Sequence, residues 1–216
     1  MSKQDIIIIL GTAHRMREPG KGSPDKRLKE CVYSREICKG VADKLRAYGC
    51  KVEIDYEPLD LPKTMQSSIV RQERNNELAM RVNYVNEVCR QKGAKNVLYV
   101  SIHVNAIGTD GKWHDARGWQ VCVSDRASEG SKRLANCLFD SAKKNSLKMR
   151  QPTAAQKYWS QNLYVLNNTK CPAVLTENLF QDNKADVDYL LSDTGRHTIA
   201  RLHVEGILKY IDEVSD

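Results

Sequence analysis

Short apolar, β-branched runs alternate along this chain with longer stretches of helical periodicity. Asp5–Leu10 ends in five uninterrupted apolar residues, which predicts a first strand buried on both faces. A loop rich in Gly, Pro and charge follows from Arg15 to about Arg27. From about Leu28 to Tyr48, Ile37, Val41 and Leu45 fall on one stripe and Gly49 follows, so a helix is expected there. Lys51–Glu57 reads as a strand. Ser67 to about Gln91 reads as a long helix with Leu78, Val82, Val85 and Cys89 on one face, closed by Gly93. Asn96–Val104 reads as a central strand, Trp119–Val123 as a further strand and Ala127–Asn145 as a helix through Leu134, Leu138 and Ala142. Asn162–Leu166 and Ala173–Thr176 read as short strands. A last helix runs from about Asp193 to Glu213, packing Leu202, Ile207, Tyr210 and Ile211 inward. Strands alternating with helices imply βαβ units. The expected fold is therefore α/β, a single three-layer domain over residues 1–216. Its twisted, mostly parallel sheet of about six strands carries helices on both faces.

Composition narrows the class without changing this picture. The chain has 216 residues, 41% apolar and 28% charged, which is ordinary for a folded domain and excludes a disordered one. No run approaches the ~18 apolar residues of a membrane-spanning helix. The N-terminal apolar run is shorter than the ~7–15 residues of a secretory signal and lacks a cleavage site. Hence no signal peptide is expected, and any extracytoplasmic role would need another exit route. The seven cysteines, at 31, 38, 50, 89, 122, 137 and 171, are odd in number and form no CxxC, so they are expected as small buried apolar residues. The net charge of +7 is uneven: residues 1–51 carry +6 and residues 176–216 carry −5. A basic balance suits an anionic partner or a solvated surface. The aromatic interleaving expected of a nucleic-acid binder is missing, so no nucleic acid is expected.

Candidate chemistry follows from topology. In an open α/β sheet, ligands bind beyond the carboxyl ends of the strands. His14 lies just past the first strand, His103 at the end of the central one, and Glu177 directly after Ala173–Thr176. Glu30 opens the first helix, whose N-terminus returns toward the same edge. Two histidines and a carboxylate make a catalytic zinc set that leaves a fourth position for water, and a further carboxylate nearby can act as general base.

Four stretches then carry a resemblance: GTAHR at 11–15, Glu30 in a helix that leads into GCKVEI, SIHVNA at 101–106, and CPAVLTENLFQDN at 171–183. The strand ARGWQVCV at 116–123 adds to them. In this order and spacing the chain resembles the zinc-dependent N-acetylmuramoyl-L-alanine amidases of the amidase-3 family, from about Ile6 to Ile211. The resemblance implies one zinc ion on His14, Glu30 and His103, with Glu177 as catalytic base. It also implies hydrolysis of the amide between the lactyl group of N-acetylmuramic acid and L-alanine of peptidoglycan. Arg15, Asn105 and His114 are candidates for substrate contact, as is Arg17 for a stem-peptide carboxylate. Trp113, Tyr158 and Trp159 are candidate sugar or peptide platforms. His197 and His203 are expected at the surface and Trp119 in the core.

Two departures stand out. Gly11-Thr12-Ala13 precedes the first histidine where the family usually has Asp-Pro-Gly. Thr176 and Asn178 flank the glutamate where small or apolar residues are usual, a change that would tune substrate choice. No wall-binding domain is expected, nor a long inserted helix between Asn105 and Glu177, so the enzyme should be a monomer with an open site, such as a phage or prophage endolysin. The alternatives are a cell-wall peptidase or deacetylase, a non-catalytic wall-binding module, or a basic nucleic-acid-binding domain.

Overall fold

The structure is a computed structural model that describes residues 5–215; residues 1–4 and 216, which the domain and signal readings also take in, lie outside the described part. Six strands form one sheet in the order β2-β1-β3-β6-β4-β5. These are β1 (Ile7–Thr12), β2 (Lys51–Ile54), β3 (Val97–Asn105), β4 (Gln120–Ser124), β5 (Trp159–Gln161) and β6 (Ala173–Phe180). The first four in spatial order run parallel. The sheet is mixed, however: β4 runs antiparallel to β6, and β5 follows β4. The start of β4 is thereby brought beside the carboxyl end of β6.

The helices are α1 (Glu30–Ala47), α2 (Val70–Lys92), α3 (Glu129–Lys144), α4 (Tyr164–Asn168), α5 (Lys184–Leu191) and α6 (Asp193–Ser215). Side chains alternate along a strand, so each strand feeds both layers. Ile8, Leu10, Val100, Ile102, Val121 and Val174 face α1, α3, α5 and α6, in the larger apolar core. Ile7, Ile9, Val97, Tyr99 and Leu175 face α2 and α4 in a smaller one. Gly206 allows a close helix contact: a Cβ there would lie 2.9 Å from the Cα of Leu138, so a side chain would force α6 away from α3. Six of the seven cysteines are buried. Among the described residues no helix is long and apolar enough to cross a membrane.

Several elements differ from expectation. The stretch 162–166 is a turn entering α4, and the strand lies just before it. Leu163 accepts amide bonds from Leu166 and Asn167, and so short an apolar run does not distinguish strand from helical turn. Strand β2 ends at Ile54: the Asp55 amide makes a last bond to Leu10, and the Thr12 amide then bonds the Asp55 side chain at 2.9 Å in place of the backbone. Helix α5 is capped by Asn183, whose side chain accepts the amide of Asp186 at 3.0 Å; the sequence pattern assigns this segment no element. His203 is fully buried rather than at the surface. Its ring lies 2.9 Å from Thr176 Oγ1 and 2.7 Å from the Ile199 carbonyl. Burial pushes its pKa down to about 4. Trp119 is in the core as expected, its indole N–H donating to Asn178.

Candidate metal and catalytic site

Strands β1, β3 and β6 end side by side, and α1 starts beneath them. His14 follows β1 with φ +47°, a left-handed conformation costly for any residue with a side chain. Its carbonyl is held by Arg35 at 3.1 Å and by Arg81 at 3.4 Å, which fixes that turn. Ser34 on α1 accepts the amide of Ala13 at 2.9 Å and donates to the Ile102 carbonyl at 2.6 Å. One hydroxyl thus ties the helix to both histidine-bearing strands. Glu30, the first residue of α1, is buried, and its Oε1 accepts the amide of Val104 at 3.1 Å.

These constraints bring His14, Glu30 and His103 together, with one potential donor atom from each inside a 4.8 Å span. His14 Nε2 lies 3.4 Å from Glu30 Oε2, and His103 Nδ1 lies 3.1 Å from Glu30 Oε1. Ligand atoms on a tetrahedral zinc ion with bonds of ~2.0–2.1 Å stand roughly 3.4 Å apart, so the spacing fits such an ion. Glu30 Oε2 is buried and accepts no hydrogen bond, as a ligand atom awaiting a cation would be. Ser101 Oγ stands 3.1 Å from His103 Nε2 and orients the ring from its far side. The two rings meet edge to face at 5.1 Å. Burial alone would raise the Glu30 carboxyl, but the charges of the two imidazoles and the hydrogen bond with His103 hold it well below the usual range. Burial lowers the pKa of His103 against the pull of Glu30, favouring the neutral ring a metal requires.

Glu177 lies on β6 directly opposite His103 in the parallel register, with Gln120 of β4 on its other side. It shares its sheet face with Leu175, so the carboxylate points toward the α2 and α4 side. Burial and the charge of Glu30 push its pKa up to about 8, while Lys21 pulls the other way. Its Oε2 is buried without a hydrogen-bond partner. Just beyond it, β6 carries one extra residue relative to β3, and Leu179 takes φ +65°. This bulge re-aims the end of the strand. A cleft of about 310 Å³ opens over the group, bordered by His14, His103, Glu177, Lys21, Arg74 and Tyr164 among others.

The substrate candidates fall elsewhere. Arg15 is buried, its guanidinium on Glu18, on Glu77 at 3.0 Å and on Glu73 at 3.4 Å. It is committed to ion pairs and turned from the cleft. Arg17 is half-exposed against Glu73 and Asp60. Asn105 uses its side chain on the amide of Ala106 and its carbonyl on Gln181. His114 sits 2.9 Å from Asp110 within its own loop. None of these borders the cleft. Tyr158 and Trp159 pack against the cores, and Trp113 is exposed away from the cleft lining. Thr176 and Asn178 are buried on the side away from Glu177. Asn178 donates to the His103 carbonyl at 2.9 Å, so its role is to hold the histidine strand, and it does not meet substrate.

Sequence reasoning missed the supports. Gln181 donates to the Gly20 carbonyl at 3.1 Å, and Asp182 accepts the amides of Ile107 and Gly108. These residues clip the loops on both sides of the site to the end of β6. A run of amide and carboxylate side chains straight after the catalytic-type glutamate was the available signal.

The family model for N-acetylmuramoyl-L-alanine amidase, Amidase_3, matches residues 8–209. The chain belongs to that family of enzymes. It is 34% identical to an endolysin of Bacillus phage SPP1 over 123 residues, 57% of this chain and 43% of the endolysin. It is 26% identical to the germination-specific N-acetylmuramoyl-L-alanine amidase of Bacillus subtilis over 205 residues, 92% of this chain and 80% of that one. This chain therefore spans less than half of the phage relative. Among solved structures, the CwlD amidase of Clostridioides difficile, in complex with the GerS lipoprotein, superposes with a TM-score of 0.76 at 23% identity, covering 96% of this chain and 99% of that chain. At that identity the likeness shows the shared fold.

Proposed function

We propose that this protein hydrolyses the amide between the lactyl group of N-acetylmuramic acid and L-alanine in peptidoglycan, using one zinc ion on His14, Glu30 and His103. The observation that carries the reading is the donor triangle beside an unpaired Glu177 carboxylate in one cleft. When bound, zinc supplies a Lewis acid and lowers the pKa of water toward ~7. The remaining chemistry belongs to the chain. Glu177 takes a proton from water at Oε2 and hands it to the leaving amine of L-alanine. Its raised pKa suits a group that must accept and then release a proton near neutrality. Ser101 holds the His103 ring and Ser34 the two histidine-bearing strands in place throughout. The family and the phage relative support a lytic role at the cell wall of the endolysin type. The wall peptidase, deacetylase and binding-module alternatives predict other products or none.

The test is mass spectrometry of the soluble products from purified peptidoglycan. Free stem peptides with an N-terminal L-alanine are expected, abolished by a chelator and reduced about 10²–10⁴-fold by Glu177→Gln. The variant should retain one bound zinc by atomic absorption. Peptides still joined to muramic acid, or released acetate, would overturn the reading.

A further inference from the structure

The cleft is bordered by three cations, and they are not equivalent. Arg81 is occupied by Asp55 at 2.7 Å and Glu77 at 3.0 Å. Arg74 is occupied by Glu18. Lys21 has no carboxylate within 4.0 Å of its ammonium among the described residues, yet it borders the same cleft as His103 and Glu177.

The backbone that carries this lysine is fixed on several sides. The Lys21 carbonyl accepts the amide of Glu30 at 3.1 Å, so it is hydrogen-bonded to a candidate metal ligand. The preceding carbonyl, Gly20, accepts from Gln181 at the end of β6. The following residue, Gly22, bridges to Lys29, and a Cβ there would lie 2.7 Å from the Leu28 carbonyl. An unpaired ammonium on a fixed backbone, bordering a reaction cleft, is a preorganised anion site. Binding a carboxylate there costs little in loop ordering.

We propose that Lys21 recognises a free carboxylate of the stem peptide close to the scissile amide, and so sets a preference for stems in which that carboxylate is not amidated. The inference rests on the amidase reading. Stem peptides place an acidic residue directly after L-alanine, and its spare carboxylate is free in some walls and amidated in others. That group is a few bonds from the amide that Glu177 would serve, within reach of a cation on the same cleft wall.

The experiment uses two muramyl peptides that differ only in a carboxylate or a carboxamide at that residue. The unaltered enzyme should show a KM about tenfold lower for the carboxylate form at equal kcat, the scale of one charge-assisted hydrogen bond. The preference should shrink as salt is raised. Lys21→Met should raise KM for the carboxylate form alone, erasing the preference, while Lys21→Arg should keep most of it. Melting temperature and bound metal should be unchanged in both variants. Equal KM values in the unaltered enzyme would overturn the assignment and leave the amidase standing. A loss of kcat on both substrates in Lys21→Met would likewise overturn it, showing that the lysine acts on Glu177. Cleavage of neither substrate by the unaltered enzyme would instead overturn the amidase reading itself.

Discussion

On one face of the sheet, α1, α3 and α6 meet the strands through Leu45, Leu138, Leu202 and Ile207, side chains with no polar atom. On the other, the N-terminal half of α2 meets it through Glu73, Glu77 and Arg81, all buried. Arg15, Glu18 and Asp55 complete that second contact, and Arg81 alone touches Asp55, Glu77 and Thr12 Oγ1. Apolar burial is non-directional, worth roughly 25 cal/mol per Å², and tolerates small shifts. A buried ion network adds little net stability over apolar packing, but its hydrogen bonds have direction. Here they act where β1 ends and the His14 turn begins. One face holds the domain together, and the other sets where the walls of the site stand.

The largest expected effect separates those two roles. Arg81→Leu removes the cation paired with buried Asp55 and leaves Glu77 to Arg15, and losing one partner of a buried pair costs about 3–5 kcal/mol. It also removes a contact to the His14 carbonyl, so zinc affinity should fall with stability. Leu202→Ala, on the apolar face, should cost a comparable ~2–5 kcal/mol and leave zinc affinity unchanged. Denaturant melts and zinc titration against a competing chelator measure both quantities. If the two variants lower zinc affinity equally, the division between the faces is wrong.

A pH experiment reaches the apolar face by another route. His203 on α6 is neutral in the fold, with its pKa down at about 4 against an ordinary 6.5. The unfolded chain therefore binds a proton that the folded chain refuses between those values. Stability present above pH 6.5 should decline by about 3 kcal/mol as pH falls through 4. His203→Gln should flatten that part of the stability curve by equilibrium denaturation. An unchanged slope would place the acid sensitivity elsewhere.

This contrast also explains what was legible in the sequence. The apolar face was read nearly whole, because Ile37, Val41, Leu45, Leu134 and Leu138 recur at helical spacing and periodicity reports burial. The ionic face was not. Glu73, Glu77 and Arg81 look like solvated helix residues in sequence, and only the tertiary fold pairs them with Arg15 and Asp55, far away along the chain. Arg15 was assigned to substrate for the same reason: adjacency to His14 in sequence says nothing of which way a guanidinium turns. His14, His103 and Glu177 were legible because strand ends in an α/β sheet converge, and Glu30 because its helix returns to that edge. Gln181 had a signal in composition alone, and the supports Ser34 and Asn178 had none. Each acts on the backbone of a distant segment, and any sequence offers many such residues.

The smallest expected effect tests the one element that belongs to both regions. Helix α1 packs its apolar stripe into the larger core, yet it supplies Glu30 and, through Ser34, pins Ala13 and Ile102. Ser34→Ala removes no apolar contact and opens almost no cavity. It leaves the Ala13 amide buried without an acceptor, which costs about 1–3 kcal/mol. If the apolar core alone positioned α1, the variant would lose that stability and nothing else. If the hydroxyl sets the separation of the histidine strands, zinc affinity should drop severalfold as well, although no ligand has changed. Leu202→Ala, with the greater loss of stability, should show no such drop. The two variants together therefore distinguish loss of stability from loss of register, because the order of their effects on folding and on zinc binding is opposite.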